Sequence, residues 1–376
     1  MFRKKLPWML LFIVLMLLSI WAVISRSGSY SLELLKETIR NAKVGWLVAA
    51  CLGMLCNILF EGFALDVLVK AITKEEHTPK IRSHGLLYSA ADIYFSAITP
   101  SASGGQPASA FFMSRDGISM AQSAVILVTN VFLYTVSLVL IGLIGFAICP
   151  AVFFRFDTLA KVFICLGGFF LVGLSVFFVL VLKKEQWVKH FSVACISLGA
   201  KFHLIRRKEH HLSKVDRAIA QYKACAGIVT NEQVEMMKAF FFNFMQRVSL
   251  LSTTVLVYLA FGGSYSYLPE VISIQALVLV GVYSLPIPGG MGVADYLLIN
   301  GLTFIPDVAS PANLELISRG ISFYCCLFLA LIIVAVGYLR QNHHIKKMKA
   351  QQEGATVAAA AALPDPNPSN SNPSEK

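Results

Sequence analysis

Long, largely apolar segments are the feature that most restricts what this chain can fold into. A membrane helix needs about 20 apolar residues, and segments of at least this order occupy residues 6–24, 44–69, 121–148, 159–182, 236–262 and 313–338. Of all 376 residues, 56% are hydrophobic and only 14% are charged, whereas a soluble domain carries roughly 25% charged residues. The sequence therefore predicts an all-α polytopic membrane protein with about six full spans. It excludes a secreted domain, a cytosolic enzyme and a disordered chain.

Two further apolar stretches are interrupted by proline and glycine. Residues 86–115 are broken at 99–107, and residues 270–304 are broken at 286–290. Proline ends a helix and glycine permits unusual backbone angles, and broken backbone at membrane depth is tolerated only inside a protein or beside a wet cavity. We therefore predict two re-entrant helical hairpins, the first entering from the cytoplasm and the second from outside.

The order of spans and hairpins repeats in the two halves with opposite orientation. Such an inverted-topology repeat is typical of transporters. Gly104-Gly105 precedes Gly289-Gly290 by 185 residues, and the same offset relates Glu61 to Gln246. The predicted organisation is a first membrane half (1–182), a basic cytoplasmic segment (183–235), a second membrane half (236–345) and a disordered tail (346–376).

The charge pattern indicates orientation and excludes several kinds of site. The net charge is +11, and Lys and Arg cluster between the apolar segments, as in cytoplasmic loops. This places both termini in the cytoplasm. No basic helix carries the interleaved aromatics of a nucleic-acid binder. The cysteines form no C-x-x-C pair, and nucleophile-elbow, phosphate-loop and H-E-x-x-H motifs are missing, so we expect no metal, no cofactor and no catalytic residues.

Ionisable residues inside the apolar segments are the first candidates for function. A charge in the bilayer costs about 2.5–3.5 kcal/mol on insertion scales, so such residues are usually functional. The candidates are Glu61, Asp66, Asp92, Arg247, Asp295, Glu315 and Arg319. Polar residues that would add to the lining are Asn57, Asn130, Asn243, Gln246 and Asn300. The alternative is a buried structural ion pair, Arg247 with Glu61 or Arg319 with Asp295.

The hairpin breaks supply the second set of candidates. A helix that restarts after Gln106 or Met291 would present free N–H groups and a partial positive charge, which suits an anionic group such as a lipid phosphate. Ser101, Ser103 and Gln106 would donate hydrogen bonds to it, and the interior arginines would neutralise it. The alternative interpretation of each break is an ordinary helix kink or tight turn.

The segment 92–117, DIYFSAITPSASGGQPASAFFMSRDG, resembles the signature of a flippase-like membrane family. That family includes the membrane domain of lysylphosphatidylglycerol synthase, the multiple peptide resistance factor. Its first motif, T-P-S-x-x-G-G-Q-P followed by a short helix with a basic end, matches Thr99, Pro100, Ser101, Gly104, Gly105, Gln106, Pro107 and Arg115. Its second, P-x-P-G-G-x-G-x-x-[DE], resembles Pro286, Pro288, Gly289, Gly290, Gly292 and Asp295, and Arg319 matches an arginine of the last long span. The resemblance covers about residues 5–345.

Together, the interior charges and the two motifs predict one substrate-binding set. Its members are Glu61, Asp92, Ser101, Gly104, Gly105, Gln106, Arg115, Arg247, Pro288, Gly289, Gly290, Asp295, Glu315 and Arg319. The resemblance implies a flippase of the bacterial inner membrane that moves a phospholipid headgroup, with lysylphosphatidylglycerol as one candidate.

The resemblance also implies where this chain departs from the full-length enzymes. In those, a separate soluble domain transfers lysine to the lipid, whereas about 37 residues follow Leu339 here. We therefore expect no aminoacyl transfer by this chain alone. The alternatives are a membrane component of a phosphatidylglycerol lysyltransferase acting with a separate synthase subunit, or a scaffold that transports nothing. Assembly as a homo-oligomer is compatible with each.

Overall fold

The computed structural model describes residues 40, 42–73, 84–99, 103–183, 223–228, 231–283, 292–308 and 310–361. This part of the chain is helical and contains no β-strand. Its α-helices are α1 (Val44–Thr73), α2 (Gly85–Ile98), α3 (Gly105–Arg115), α4 (Met120–Ile148), α5 (Pro150–Arg155), α6 (Thr158–Lys183), α7 (Gln233–Ala260), α8 (Leu268–Tyr283), α9 (Val293–Leu302), α10 (Pro311–Arg319) and α11 (Cys326–Ala361).

Six helical segments of the described chain are long and apolar enough to cross a membrane. Five of them contain α1, α4, α6, α7 and the α10–α11 region, close to the predicted ranges. The sixth, Tyr265–Val282, is α8 lengthened by a 3-10 turn over Tyr265–Tyr267, where the sequence predicted a hairpin arm. The predicted span 6–24 lies outside the described residues. The prediction of an all-α polytopic membrane protein is confirmed.

The first hairpin is held against α1 by direct backbone contact. Helices α2 and α3 pack on each other, and α2 also packs on α1. A Cβ atom on Gly85 would lie 2.1 Å from the carbonyl oxygen of Gly62, so only glycine allows this approach. The amide of Gly85 donates to Oδ1 of Asp66 at 2.8 Å. Asp66, one of the predicted interior charges, therefore anchors the start of α2.

The base of the same hairpin is closed by Asp116, just after α3. Tyr88 Oη donates to Asp116 Oδ2, and Nδ1 of His84 lies 2.9 Å from the same oxygen. Both partners belong to the start of α2. One carboxyl group therefore ties the two ends of the hairpin together, at the end opposite the predicted break.

The most extensive helix interface of the described chain joins α1 to α7. These two helices occupy equivalent places in the predicted repeat, because each is the span directly before a hairpin. Helix α8 packs on α4, α6 and α9, so the arms of the second hairpin also contact each other. The predicted break at 286–290 falls outside the described residues. The arrangement gathers α1, α2, α4, α7 and α8 around a common interior.

The predicted last span, 313–338, is divided in the structure. Helix α10 ends at Arg319, six residues from Gly320 to Cys325 form a π-helix, and α11 follows. Such π-segments occur frequently at functional sites, and nothing in the apolar pattern signalled this one. It places a change of helical pitch directly after an interior arginine.

The C-terminal region differs from the predicted organisation. Helix α11 continues to Ala361, whereas disorder was predicted from residue 346; alanine, frequent after residue 354, is the best helix former. The described residues up to Leu331 form one compact unit and those from Ile332 form a second. Described residues of both predicted membrane halves thus share the first unit.

Candidate functional site

A cavity of about 850 Å³ lies among the helices of both predicted halves. Its volume is in the range of small-molecule binding sites. The charged side chains in its wall are Glu61, Asp92, Arg247, Glu315 and Arg319, and Gln106 joins them from α3. The structure therefore brings together most of the interior charges that the sequence singled out.

Glu61 is held in the wall by donors from two other helices. Its side chain is on α1, and the residue is only 4% exposed. Oε2 accepts hydrogen bonds from Ser89 Oγ on α2 and from Gln246 Nε2 on α7, each at 3.0 Å. The backbone oxygen of Gln246 in turn accepts from Asn57 Nδ2 at 3.1 Å. These bonds link the two spans that directly precede the hairpins, α1 and α7, at the level of the cavity.

Asp92 on α2 joins the two arms of the first hairpin. Its Oδ2 accepts from Gln106 Nε2 of α3 at 3.0 Å, and its Oδ1 accepts from Ser96 Oγ at 3.3 Å. The carboxyl groups of Glu61 and Asp92 also interact electrostatically with each other, and the positive charge of Arg247 acts on both. Two acids and one arginine thus form a single interacting group.

The glycine pair of the first motif has a steric role in this group. A Cβ atom on Gly105 would lie 2.0 Å from Asp92 Oδ1, so glycine is what lets the carboxyl group reach the start of α3. Thr99 Oγ1 accepts from the amide of Gly104 at 2.8 Å and closes the turn. Neither glycine lines the cavity.

This geometry corrects the prediction of an open anion site at the start of α3. The positive end of a helix attracts a negative group, and here a carboxyl group of the chain, that of Asp92, already lies beside it. A substrate anion would have to share that position. The motif therefore positions an acid of the protein in the cavity wall.

A second charged group surrounds Arg319. Its guanidinium forms a salt bridge from Nη2 to Asp295 Oδ1 on α9, and its Nε donates to Glu315 Oε1 at 3.0 Å. Asp295 Oδ2 accepts from the amide of Gly292 at 2.9 Å, which caps the start of α9. The Arg319–Asp295 ion pair of the alternative interpretation is present, but the side chain of Asp295 is 34% exposed and the pair is not fully buried. The pair belongs to the cavity wall as well, through Arg319.

Two further side chains of the site, Tyr134 and Gln275, were not predicted from the sequence. Arg247, 6% exposed, lies over the ring of Tyr134 at 4.7 Å, a cation–π contact. Tyr134 precedes Arg319 by the repeat offset of 185 residues, which is the signal that would have found it. Gln275 on α8 also lines the cavity. Its Oε1 and that of Gln246 are buried and accept no hydrogen bond within the described chain.

Other predicted residues lie elsewhere. Arg115 stacks on Phe111 at 5.7 Å from its ring centre and is outside the cavity wall. Asn130 and Asn243 hydrogen-bond to each other, Nδ2 of Asn243 donating to Oδ1 of Asn130 at 3.0 Å. Ser101, Pro288, Gly289 and Gly290 lie outside the described residues. No group of three or more metal-ligating side chains occurs in the part of the chain that was described.

Asn300, a predicted lining residue, instead helps to hold α9 to the turn between α5 and α6. Its Nδ2 donates to Asp157 Oδ2 at 3.0 Å, and Tyr296 Oη donates to the same oxygen. The hydrogen bond from Tyr296 lowers the pKa of Asp157, because it stabilises the ionised carboxylate. This cluster is exposed and separate from the cavity, and it fixes one arm of the second hairpin.

Comparison with known proteins identifies a family. The family model described as the lysylphosphatidylglycerol synthase TM region matches residues 8–330. No curated protein and no solved structure matches the chain. The match spans most of the chain and includes every charged residue of the cavity wall. This multi-pass membrane protein belongs to the lysylphosphatidylglycerol synthase TM region family.

Proposed function

We propose that this protein moves the headgroup of a phospholipid between the leaflets of the membrane, through the cavity, while the acyl chains stay in the bilayer. The observation that carries the proposal is a cavity of about 850 Å³ whose wall combines carboxyl and guanidinium groups from both halves. Charges at membrane depth are costly to insert. A protein that only needed to pack would not concentrate them around a space.

The balance of charges favours a headgroup that carries an amine as well as a phosphate. Four carboxyl groups, from Glu61, Asp92, Asp295 and Glu315, surround the two guanidinium groups of the site. A phosphate group without an amine would be repelled by the excess of negative charge on these carboxyl groups. An ammonium group next to the phosphate would pair with the acids, so lysylphosphatidylglycerol is a suitable candidate.

Unused acceptors in the wall favour the same kind of substrate. The Oε1 atoms of Gln246 and Gln275 are buried in the cavity wall and receive no hydrogen bond from the described residues. A buried acceptor without a donor costs about 1–3 kcal/mol. The N–H or O–H groups of a passing headgroup would supply donors to both.

Reconstituted vesicles test the proposal. Lipids labelled on the acyl chain, with phosphatidylglycerol, phosphatidylethanolamine or lysylphosphatidylglycerol headgroups, are incorporated with the purified protein, and label in the outer leaflet is bleached with dithionite. We expect the protein to speed exchange between leaflets for at least the amine-bearing lipids. Arg247→Leu should slow it, while Glu235→Gln, at an exposed surface pair with Lys238, should not. Equal rates in vesicles with and without protein, for every headgroup, would refute the proposal.

A second candidate function is participation in lipid synthesis with a separate catalytic polypeptide. The description of the matched family, which names a synthase, favours it. Lipid analysis of a deletion strain, divided by leaflet with an amine-reactive outer label, separates the two. A lipid trapped in the inner leaflet with an unchanged total supports translocation, and a lipid missing from both leaflets supports synthesis.

A further inference from the structure

We propose that Gln275 selects the headgroup by its hydrogen-bond donors, so that the protein distinguishes lipids of equal charge by the N–H or O–H groups that they carry. This inference rests on the proposed function and adds a specificity-determining residue to it. It follows from the position of Gln275 on α8, from the absence of a donor to its oxygen in the described chain and from the bonds that the other acceptors of the cavity wall already make.

Gln275 interrupts an apolar helix face. The described residues of α8 that line the cavity are Gln275, Val278, Leu279 and Val282. They lie at positions i, i+3, i+4 and i+7, which form one side of a helix. Only 8% of Gln275 is exposed, and the other three side chains on this side are aliphatic. Gln275 is therefore the polar group that this face of α8 contributes to the cavity.

The oxygen of Gln275 lacks a partner. Oε1 is buried and receives no hydrogen bond from the described residues. An unpaired polar group lowers the stability of a protein, so packing alone does not explain an amide among valine and leucine. The terminal torsion of a glutamine side chain is soft, and rotation about it lets the amide present its oxygen to the cavity. A donor on a bound headgroup would complete the missing hydrogen bond.

Gln246, whose Oε1 also lacks a donor in the described chain, differs from Gln275 in one respect. Its Nε2 donates to Oε2 of Glu61 at 3.0 Å, so this residue has a structural role as well. The structure shows no corresponding hydrogen bond for the side chain of Gln275 within the described residues. Substitution of Gln275 therefore tests recognition separately from stability, which substitution of Gln246 does not.

The other polar groups of the wall indicate which part of the headgroup Gln275 contacts. The guanidinium groups of Arg247 and Arg319 supply donors for a phosphate. The carboxyl groups already accept hydrogen bonds from the protein: Glu61 from Ser89 and Gln246, Asp92 from Ser96 and Gln106, and Glu315 from Arg319. The buried side-chain oxygens of the wall that lack a donor in the described chain are those of Gln246 and Gln275. They suit an N–H or O–H group of the headgroup.

An amide oxygen discriminates between headgroups in a way that a charge does not. A carboxylate attracts any cation, whether or not the cation carries N–H groups. A buried neutral acceptor is satisfied only by a donor, and a site built around one rejects an analogue that lacks the donor, because the acceptor is then left unpaired. Ammonium and trimethylammonium headgroups carry the same charge, and the oxygen of Gln275 can accept a hydrogen bond from the first alone.

A series of lipids with equal charge and fewer donors tests the selection. Phosphatidylethanolamine, its N-methyl and N,N-dimethyl derivatives and phosphatidylcholine carry three, two, one and no N–H groups on the same nitrogen. Each is labelled on the acyl chain and followed in reconstituted vesicles with dithionite. We expect wild-type protein to move these lipids more slowly as N–H groups are lost, with phosphatidylcholine the slowest. Equal protein-dependent rates for all four would overturn the proposal.

Substitution of Gln275 separates the loss of donors from the added bulk of the methyl groups. Gln275→Leu should slow phosphatidylethanolamine by about threefold to tenfold, the effect of one lost hydrogen bond, and should leave the rate for phosphatidylcholine unchanged. Gln275→Met, which keeps the length of the side chain without the amide, should act in the same way. Gln233→Leu, at an exposed glutamine, is the control. If Gln275→Leu slows all four lipids by the same factor, or slows none, the proposal is wrong.

Thermal unfolding in detergent excludes a merely structural role. Gln275→Leu removes no hydrogen bond that the structure shows, so its unfolding temperature should equal or exceed that of wild-type protein. Phosphatidylethanolamine should raise the unfolding temperature of wild-type protein more than phosphatidylcholine does, and this difference should shrink in Gln275→Leu. A clear loss of stability in the variant, or an equal response of wild-type protein to the two lipids, would overturn the proposal. Absence of protein-dependent exchange for every headgroup would instead refute the proposed function itself.

Discussion

Gln246 Nε2 donates a hydrogen bond to Oε2 of Glu61 at 3.0 Å, and the two residues are 185 positions apart in the chain. This separation equals the offset between the two glycine pairs, Gly104-Gly105 and Gly289-Gly290. A contact between equivalent positions of two repeats lies next to the axis that relates them. The bond therefore supports the inverted repeat and places Glu61 at the centre of the helix arrangement, where α1 meets α7.

Replacement of Gln246 by leucine should destabilise the protein. The change removes a donor from a carboxyl group that is buried between two helices, and such a loss costs about 1–3 kcal/mol. Thermal unfolding in detergent measures it. The same change at Gln233, exposed at the start of α7, is the control. The double variant Glu61→Leu/Gln246→Leu should recover part of the loss. Equal unfolding temperatures for Gln246→Leu and the control Gln233→Leu would contradict this account.

Replacement of Gly105 by alanine should impair translocation. The added methyl group would lie 2.0 Å from Asp92 Oδ1, so the acid must leave its position beside Gln106. Gly173→Ala is a matched control, because a Cβ atom there meets nothing within 4 Å and alanine stabilises a helix by roughly 0.5–1 kcal/mol over glycine. The vesicle assay compares the two. Normal transport by Gly105→Ala would show that the position of Asp92 is unimportant.

Replacement of Arg319 by leucine or by lysine should lower both the stability of the protein and its transport rate. It bridges Asp295 of α9 and Glu315 of α10. Removal of one partner of a buried ion pair costs about 3–5 kcal/mol, less where a partner is exposed as Asp295 partly is. Lysine cannot reproduce two bonds from one planar group, so Arg319→Lys should be intermediate. Unfolding temperature and transport rate are the readouts. The triple variant Arg319→Leu/Asp295→Asn/Glu315→Gln should regain stability but not transport.

Acid should weaken the attachment of α9 to the α5–α6 turn. The hydrogen bond from Tyr296 lowers the pKa of Asp157, so its stabilising effect is complete above the ordinary aspartate pKa of about 3.9. The effect is lost as pH falls through the lowered value. Tyr296→Phe should lower the unfolding temperature at neutral pH and reduce its dependence on acid. The control is Tyr265→Phe, at an exposed tyrosine, which should leave the acid dependence unchanged.

Oxidation should link α1 to the π-helix that follows Arg319. The thiols of Cys51 and Cys325 interact electrostatically with each other, and both are free. Treatment with diamide should produce an intramolecular disulfide, detected by mass spectrometry, and should slow translocation if the π-helix moves relative to α1. Cys51→Ser should prevent both effects. A disulfide that leaves the transport rate unchanged would show that these two elements move together.

Much of the fold was predictable because membrane helices depend on local sequence. An apolar segment of sufficient length must be helical in lipid, since its backbone groups have no other partners. The segments containing α1, α4, α6 and α7 were predicted for this reason. The π-helix at Gly320–Cys325 and the helical residues after 345 were not. Both arise from helix geometry and propensity, to which an apolar pattern is insensitive.

The sequence predicted many of the residues that form the site, but it did not predict what each of them does. The free-energy cost of placing a charge in the membrane identified Glu61, Asp92, Arg247 and Arg319 as candidates. All four line the cavity. Charge in the sequence could not show that Arg115 stacks on a phenylalanine outside it. Nor could it show that the first motif brings an acid of the protein to the helix end that looked suited to a ligand.

The sequence by itself determined that this protein is a helical membrane protein, where its first hairpin breaks and which costly charges it contains. Those properties depend on residue type and on short-range spacing. Only the tertiary structure decided which charges meet, such as Glu61 with Asp92 and Arg319 with Asp295. The physical reason is that a pairing energy depends on distance and exclusion of water between helices far apart in the chain, which no local pattern specifies.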